Sequence, residues 1–208
     1  MFGDRRQKKE ALCYLVQLGA GWIFGMVMAV LVLSALFERH IYGVSSLFIG
    51  FIAGAVPVIT KLGNGGIVWV VLAAGLLACK RTRKSGVILA VALAADVIVC
   101  NGILKNAVQR IRPCDVNTSV DLLIHRPTDF SFPSGHTAES FAAVSALYFA
   151  GEKKLWKPVL FLAVLIAFSR MYLYVHYPTD ILGGMIVGIA MGYLASRVVY
   201  CLWRSGNE

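Results

Sequence analysis

Charge is scarce in this 208-residue chain: Asp, Glu, Lys and Arg together make up 15% of it, and only 11 side chains are acidic. So little charge cannot clothe an ordinary soluble domain, and 58% of the residues are apolar instead. Alternation is missing too. The apolar runs are continuous rather than period-2, which sets aside a β-barrel and leaves helices as the way to satisfy the backbone in lipid. Cysteine offers no framework: Cys13, Cys79, Cys100, Cys114 and Cys201 are odd in number and scattered, with no C-x-x-C pair. Neither a disulfide scaffold nor a zinc site is indicated, and no metal-ligand set or cofactor motif stands elsewhere. Internal repeats are lacking, so an inverted transporter-like duplication has no support.

What the chain has is a net charge of +9 gathered in short basic stretches. Arg5, Arg6, Lys8 and Lys9 precede the first apolar run; Lys80, Arg81, Arg83 and Lys84 separate two others, as do Lys153, Lys154 and Lys157. Short basic loops between apolar runs are cytoplasmic topology determinants. No basic stripe interleaved with aromatics favours nucleic acid. The run from about Leu12 to Phe37 exceeds a signal-peptide core and lacks a clear cleavage site, so it reads as a retained helix.

These runs predict an all-α, polytopic membrane protein with six spans, at 12–37, 62–79, 86–108, 134–150, 157–175 and 180–203. The Gly-rich segment 41–59 is apolar, but a further crossing there would put the first basic stretch outside. Parity therefore predicts an interfacial or re-entrant segment. Both termini are then cytoplasmic in a plasma-membrane protein forming one domain over 1–208, with 1–59 as an atypical opening and 60–203 as the core.

Three clusters rich in phosphate-gripping groups fall on the outer face of this topology. They are Lys105 to Pro113 (K-N-A-V-Q-R-I-R-P), Pro133-Ser134-Gly135-His136, and Ser169 to Asp180 (S-R-M-Y-L-Y-V-H-Y-P-T-D). Phosphate-ester cleavage needs cations on the non-bridging oxygens, an in-line nucleophile and an acid for the leaving oxygen. Lys105, Arg112 and Arg170 are candidate clamps, the arginines offering planar two-pronged contacts. Ser134 and Gly135 open a helix whose backbone N–H groups make an anion seat. His176 suits nucleophilic attack on phosphorus, Asp180 suits orientation of its ring, and His136 suits general acid–base work. Singly, each cluster also fits a snorkelling helix end, an ordinary helix start or a structural His–Asp pair. Their joint occurrence on one face favours catalysis without a metal or cofactor.

The chain resembles the type 2 phosphatidic acid phosphatase superfamily, which shares its phosphate pocket with vanadium haloperoxidases. The family pattern K-x-x-x-x-x-x-R-P, P-S-G-H and S-R-x-x-x-x-x-H-x-x-x-D is matched at every position, and the likeness extends over about 60–203. The resemblance implies a six-helix membrane fold, His176 as nucleophile and His136 as acid and base. It places Lys105, Arg112, Ser134, Gly135, His136 and Arg170 around the phosphate, with Ser169 supporting Arg170. The implied substrate is a lipid phosphate. Undecaprenyl diphosphate leads; phosphatidylglycerophosphate, phosphatidic acid, transfer to a lipid acceptor, and non-catalytic carriage remain open. Residues 1–59 depart from the family's usual opening.

Lesser features carry expectations as well. Asn101, one turn before Lys105, is expected to share its face. Asp96 reads as a hydrogen-bonded structural carboxyl on the opposite face. Gly63-Asn64-Gly65-Gly66 reads as a flexible turn, with Asn64 a possible headgroup contact. Phe130 and Phe132 fit either a membrane anchor or packing.

Overall fold

Backbone chemistry sets the first bend. Helix α1 (Ser46–Leu62) ends at Gly63, and a single 3-10 turn (Asn64–Gly66) places Gly65 and Gly66 at φ 57° and 64°. Those are left-handed values that glycine adopts without steric cost. The chain re-emerges as α2 (Ile67–Ala78), bent 47° from the end of α1. The structure is a computed structural model that describes residues 46–205, with side chains from Gly54 onward. The expected first span, 12–37, and the start of the 41–59 segment lie outside the described residues; the remainder of that segment is helical in α1.

Next come α3 (Arg83–Asp96), a π-helical stretch (Val97–Leu104), α4 (Lys105–Val108) and α5 (Pro113–Val116). Gln109, at φ 50°, closes α4. A long loop leads to α6 (Gly135–Phe149), followed by α7 (Trp156–Tyr172) and α8 (Pro178–Ser205). Pro178 opens α8, where its missing N–H is harmless. The described residues are helical without strands.

By length and composition, among the described residues, Arg83–Val116 and Pro178–Ser205 can cross a membrane, and the bent pair 54–62 with 64–78 makes up to three candidates. Helices α6 and α7 occupy the expected fourth and fifth spans with 15 and 17 residues, short of the roughly 20 a straight crossing uses. Outward-facing Val70, Val71, Phe161, Val164, Ile186 and Val198 are exposed. An apolar exterior of this extent belongs in lipid, and the protein is a membrane protein.

Helix α6 is the axis of the bundle, packing on α3, α7 and α8. Trp69 reaches it from α2, its indole N–H donating to Ser140 Oγ at 3.1 Å. Small residues bring α6 and α8 together: Gly184, Gly188 and Gly192 lie one turn apart against Ala138, Ala142 and Ser145. A Cβ on Gly184 would sit 2.7 Å from the Ser134 carbonyl oxygen, and one on Gly188 would overlap the carbonyl of Ala138. Such close backbone approach supplies the van der Waals contact that substitutes for a hydrophobic drive between helices in lipid. Gly188→Leu should therefore cost at least about 1–3 kcal/mol. Size-exclusion of detergent-solubilised protein should show loss of the monodisperse folded species.

The two ends of the bundle differ. At one, Lys84 lies 3.7 Å from the Tyr200 ring centroid and Ser85 donates to Glu152 at 2.7 Å, drawing two basic loops and the end of α8 together. The three motif clusters meet at the other.

Candidate active site

The expected site residues come from four places. Lys105 stands at the junction of the π stretch and α4, Arg112 just before α5, Gly135 and His136 in the first turn of α6, and Arg170 and His176 around the α7–α8 connection. All six line one cavity of about 770 Å³, closed on other sides by Thr60, Asn64 and the 122–129 loop. Convergence from such distances in sequence is what a catalytic pocket needs.

Arg112 is the most constrained of these groups. Its Nε donates to the Asp129 carbonyl at 2.8 Å, and one terminal nitrogen donates to the Val175 carbonyl at 2.8 Å. The other reaches Asp129 Oδ1 at 2.6 Å and the Phe130 carbonyl at 3.4 Å. The nitrogen bonded to Val175 also lies 3.1 Å from His176 Nε2. A guanidinium has no lone pair to offer, so Nε2 accepts, and the ring proton of neutral His176 resides on Nδ1.

Nδ1 faces Asp180 Oδ2 at 3.6 Å, beyond hydrogen-bond length, and has no hydrogen-bond partner among the described residues. Asp180 is instead occupied by Ser131 Oγ at 2.5 Å, the Tyr177 N–H at 2.9 Å and Arg110 at 2.8 Å. The expected orienting bond is thus a longer approach between a neutral ring and a carboxylate here, and the tautomer is set from the Arg112 side.

Burial holds the His176 imidazole down at about 4, aided by the positive charges of Arg112 and Arg170 and opposed by Asp180. The unfolded chain takes up this proton from about 6.5 downward, whereas the folded one waits until about 4. Stability contributed by the neutral ring therefore falls as pH drops through that window. Relative to His176→Asn, the wild-type melting temperature should decline between those two pH values. A constant difference between the proteins would contradict the depressed value.

Gly135 is required by crowding: a Cβ there would lie 3.0 Å from Asn101 Oδ1 and 3.7 Å from Lys105 Nζ. Asn101 and Lys105 therefore share a face, as expected. His136 Nε2 pairs with Asn64 Oδ1 at 2.9 Å, giving the Gly-rich turn a definite task.

Several expectations need correction. Ser134 is fully buried, does not line the cavity, and accepts a hydrogen bond from Thr137 Oγ1 at 3.0 Å. Ser169 does not support Arg170, because its hydroxyl donates back to the Ile166 carbonyl at 2.6 Å. Arg170 donates instead to Thr60 Oγ1 at 2.6 Å, while its Nε finds no partner among the described residues. Asp96 is buried with both oxygens unbonded there, against the hydrogen-bonded carboxyl expected. Phe132 packs on Gly183 of α8.

The structure adds residues that the motifs do not mark. Arg110 joins Asp180 and Thr179 (2.8 and 2.6 Å) and stacks over Tyr177 with 4.0 Å from Cζ to the ring centroid. Its place two residues before Arg112 was the one available signal. Asp129 bridges Lys105 and Arg112. Burial would raise its pKa, but hydrogen bonds and charge from Lys105 and Arg112 outweigh that and hold it at about 2.

A helical membrane protein with two histidines and three cationic side chains around one cavity is the class this arrangement defines. Residues 85–204 match the family model of the PAP2 superfamily, to which the chain belongs, and it is a phosphatase. Residues 4–111 match a second model, described as undecaprenyl phosphate translocase-like, which includes most of the atypical opening. Over 145 residues the chain is 32% identical to undecaprenyl-diphosphatase of Sulfolobus acidocaldarius, covering 70% of this chain and 69% of that protein. It is 41% identical to undecaprenyl-diphosphatase BcrC of Bacillus subtilis over 86 residues, 41% of this chain and 44% of that one. Among solved structures, the transmembrane PAP2-type phosphatidylglycerolphosphate phosphatase of Bacillus subtilis superposes with a TM-score of 0.61 at 25% identity, covering 79% of this chain and 83% of the other. Aquifex aeolicus LpxE gives 0.63 at 25% identity, over 78% and 93%.

Proposed function

We propose that this protein removes the terminal phosphate of a polyprenyl diphosphate, most simply undecaprenyl diphosphate, at the outer face of the plasma membrane. The observation that carries the reading is the single cavity shared by His136, His176, Lys105, Arg112 and Arg170. Two names favour the lipid. The two relatives above are undecaprenyl-diphosphatases, and the model matching 4–111 names undecaprenyl phosphate, which is the product such an enzyme would make. Sidedness is supported by the basic loops at the opposite end of the bundle, which the positive-inside rule assigns to the cytoplasm. Six spans with both termini inside fit that placement, with α1 and the bend at 63–66 as a re-entrant approach to the pocket.

The reaction runs in two displacements. His176 Nε2 attacks the terminal phosphorus, the bridging P–O bond breaks, and His136 gives its proton to the departing lipid phosphate oxygen. Water then attacks the phosphohistidine, losing a proton to His136, and inorganic phosphate leaves. Lys105, Arg112 and Arg170 carry the charge on the non-bridging oxygens throughout. Asp180 faces the Nδ1 proton and favours the imidazolium-like phosphohistidine.

Phosphatidylglycerophosphate is the second reading. It is favoured by the likeness to phosphatidylglycerophosphatase B of Bacillus subtilis, 30% identical over 149 residues. Phosphate release by purified protein in chelator, across undecaprenyl diphosphate, phosphatidylglycerophosphate and phosphatidic acid, separates the two. A kcat/KM highest for the diphosphate supports the first reading. Release from none of the three overturns both.

A further inference from the structure

The cradle that must receive phosphate already contains an anion. Asp129 Oδ2 is ion-paired with Lys105, and Oδ1 lies 2.6 Å from a terminal nitrogen of Arg112. Both oxygens thus engage the clamps, as two oxygens of a phosphoryl group would. The carboxylate lines the same cavity as His136 and His176 and is half-exposed, on a loop rather than a helix.

We propose that Asp129 is an internal competitor for phosphate. Its carboxylate fills the Lys105–Arg112 cradle between turnovers, yields it to the phosphoryl group of substrate, and returns as inorganic phosphate leaves. The proposal rests on the phosphate pocket described under the proposed function. The alternative is a permanent tie, in which Asp129 positions both cations and stays in place.

The bonding of Arg112 favours the competitor. Without the carboxylate it keeps the carbonyls of Asp129, Val175 and Phe130, at 2.8, 2.8 and 3.4 Å, so its orientation does not depend on the acid. One of those carbonyls belongs to Asp129 itself. The backbone can therefore stay fixed while the side chain turns outward, a rotamer change at a half-exposed position. A carboxylate left in place beside a multiply charged phosphate would instead oppose binding in a confined, partly desolvated site.

The two roles predict opposite signs. Inorganic phosphate binding would be measured by titration calorimetry on the full-length protein in detergent, for wild type, Asp129→Asn, Asp129→Ser and Arg112→Ala. A competitor predicts that both Asp129 variants bind phosphate at least about tenfold more tightly than wild type. It also predicts stronger product inhibition of phosphate release in those variants. Weaker or unchanged phosphate binding in both variants, with melting temperatures near wild type, overturns the proposal in favour of the tie. Using two replacements guards against a local packing effect of either one. Arg112→Ala tests the pocket itself. If wild type and Arg112→Ala bind phosphate equally, the phosphate-pocket reading fails and takes this proposal with it.

Discussion

His176→Ala should reduce phosphate release by at least about 10⁴-fold while leaving phosphate binding largely intact. The magnitude follows from covalent catalysis: without an imidazole, the single difficult displacement must be done by water in one step. Geometry makes His176 the candidate over His136. Its Nε2 accepts from Arg112 at 3.1 Å at the cavity wall, and its protonated Nδ1 faces a carboxylate. His136 is instead paired through Nε2 with a neutral amide, Asn64, an arrangement suited to exchanging a proton. Phosphate binding should survive because Lys105, Arg112 and Arg170 all remain. Rapid quench with a substrate labelled in its terminal phosphate should find a base-stable, acid-labile phosphoenzyme in wild type and none in His176→Ala. Release by that variant at a rate near wild type would remove the nucleophile assignment.

Much of this pocket was legible before any coordinates. Lys105, Arg112, Gly135, His136, Arg170 and His176 line one cavity because each sits at or beside a helix end at the same end of the bundle. The motif spacings supplied the residue types. Asp129, Ser131 and the Arg110 contacts could not be read in the same way. Asp129 and Ser131 lie on the loop between α5 and α6, and Arg110, between α4 and α5, reaches the start of α8; such bonds depend on tertiary path rather than period. The Ser169 expectation failed because a hydroxyl inside a helix has a nearer acceptor, the carbonyl three residues back, than any neighbouring guanidinium. The roles of Thr60 and Asn64 were hidden for a different reason. They belong to the region matched by the second family model, so the phosphatase motifs carry no information about them. Their bonds to Arg170 and His136 nevertheless make that region part of the pocket wall.

Arg112→Lys is the change in which conserving charge should help least, with an expected fall in kcat/KM of about 10²–10³. A single ammonium cannot reproduce the fork that spans the carbonyls of Asp129, Val175 and Phe130 and still reaches His176. Position matters more than charge here. An Arg112 N–H points at the lone pair of Nε2, so on the proposed mechanism the nucleophile is capped until another acceptor takes that proton donor. A non-bridging oxygen of the substrate is such an acceptor. On the proposed mechanism, the phosphorus behind it would come to face the freed nitrogen as the N–H is drawn away, and binding and activation would become one event. A lysine would leave the lone pair uncapped and would not register the phosphorus against it. Both KM and kcat should therefore suffer, and guanidinium ion added to Arg112→Ala should restore part of the rate. Lys105→Arg, by contrast, preserves charge without disturbing His176 and should lose less. Equal rates for Arg112→Lys and wild type would mean that the guanidinium acts as a point charge and that its contact with Nε2 plays no part in turnover.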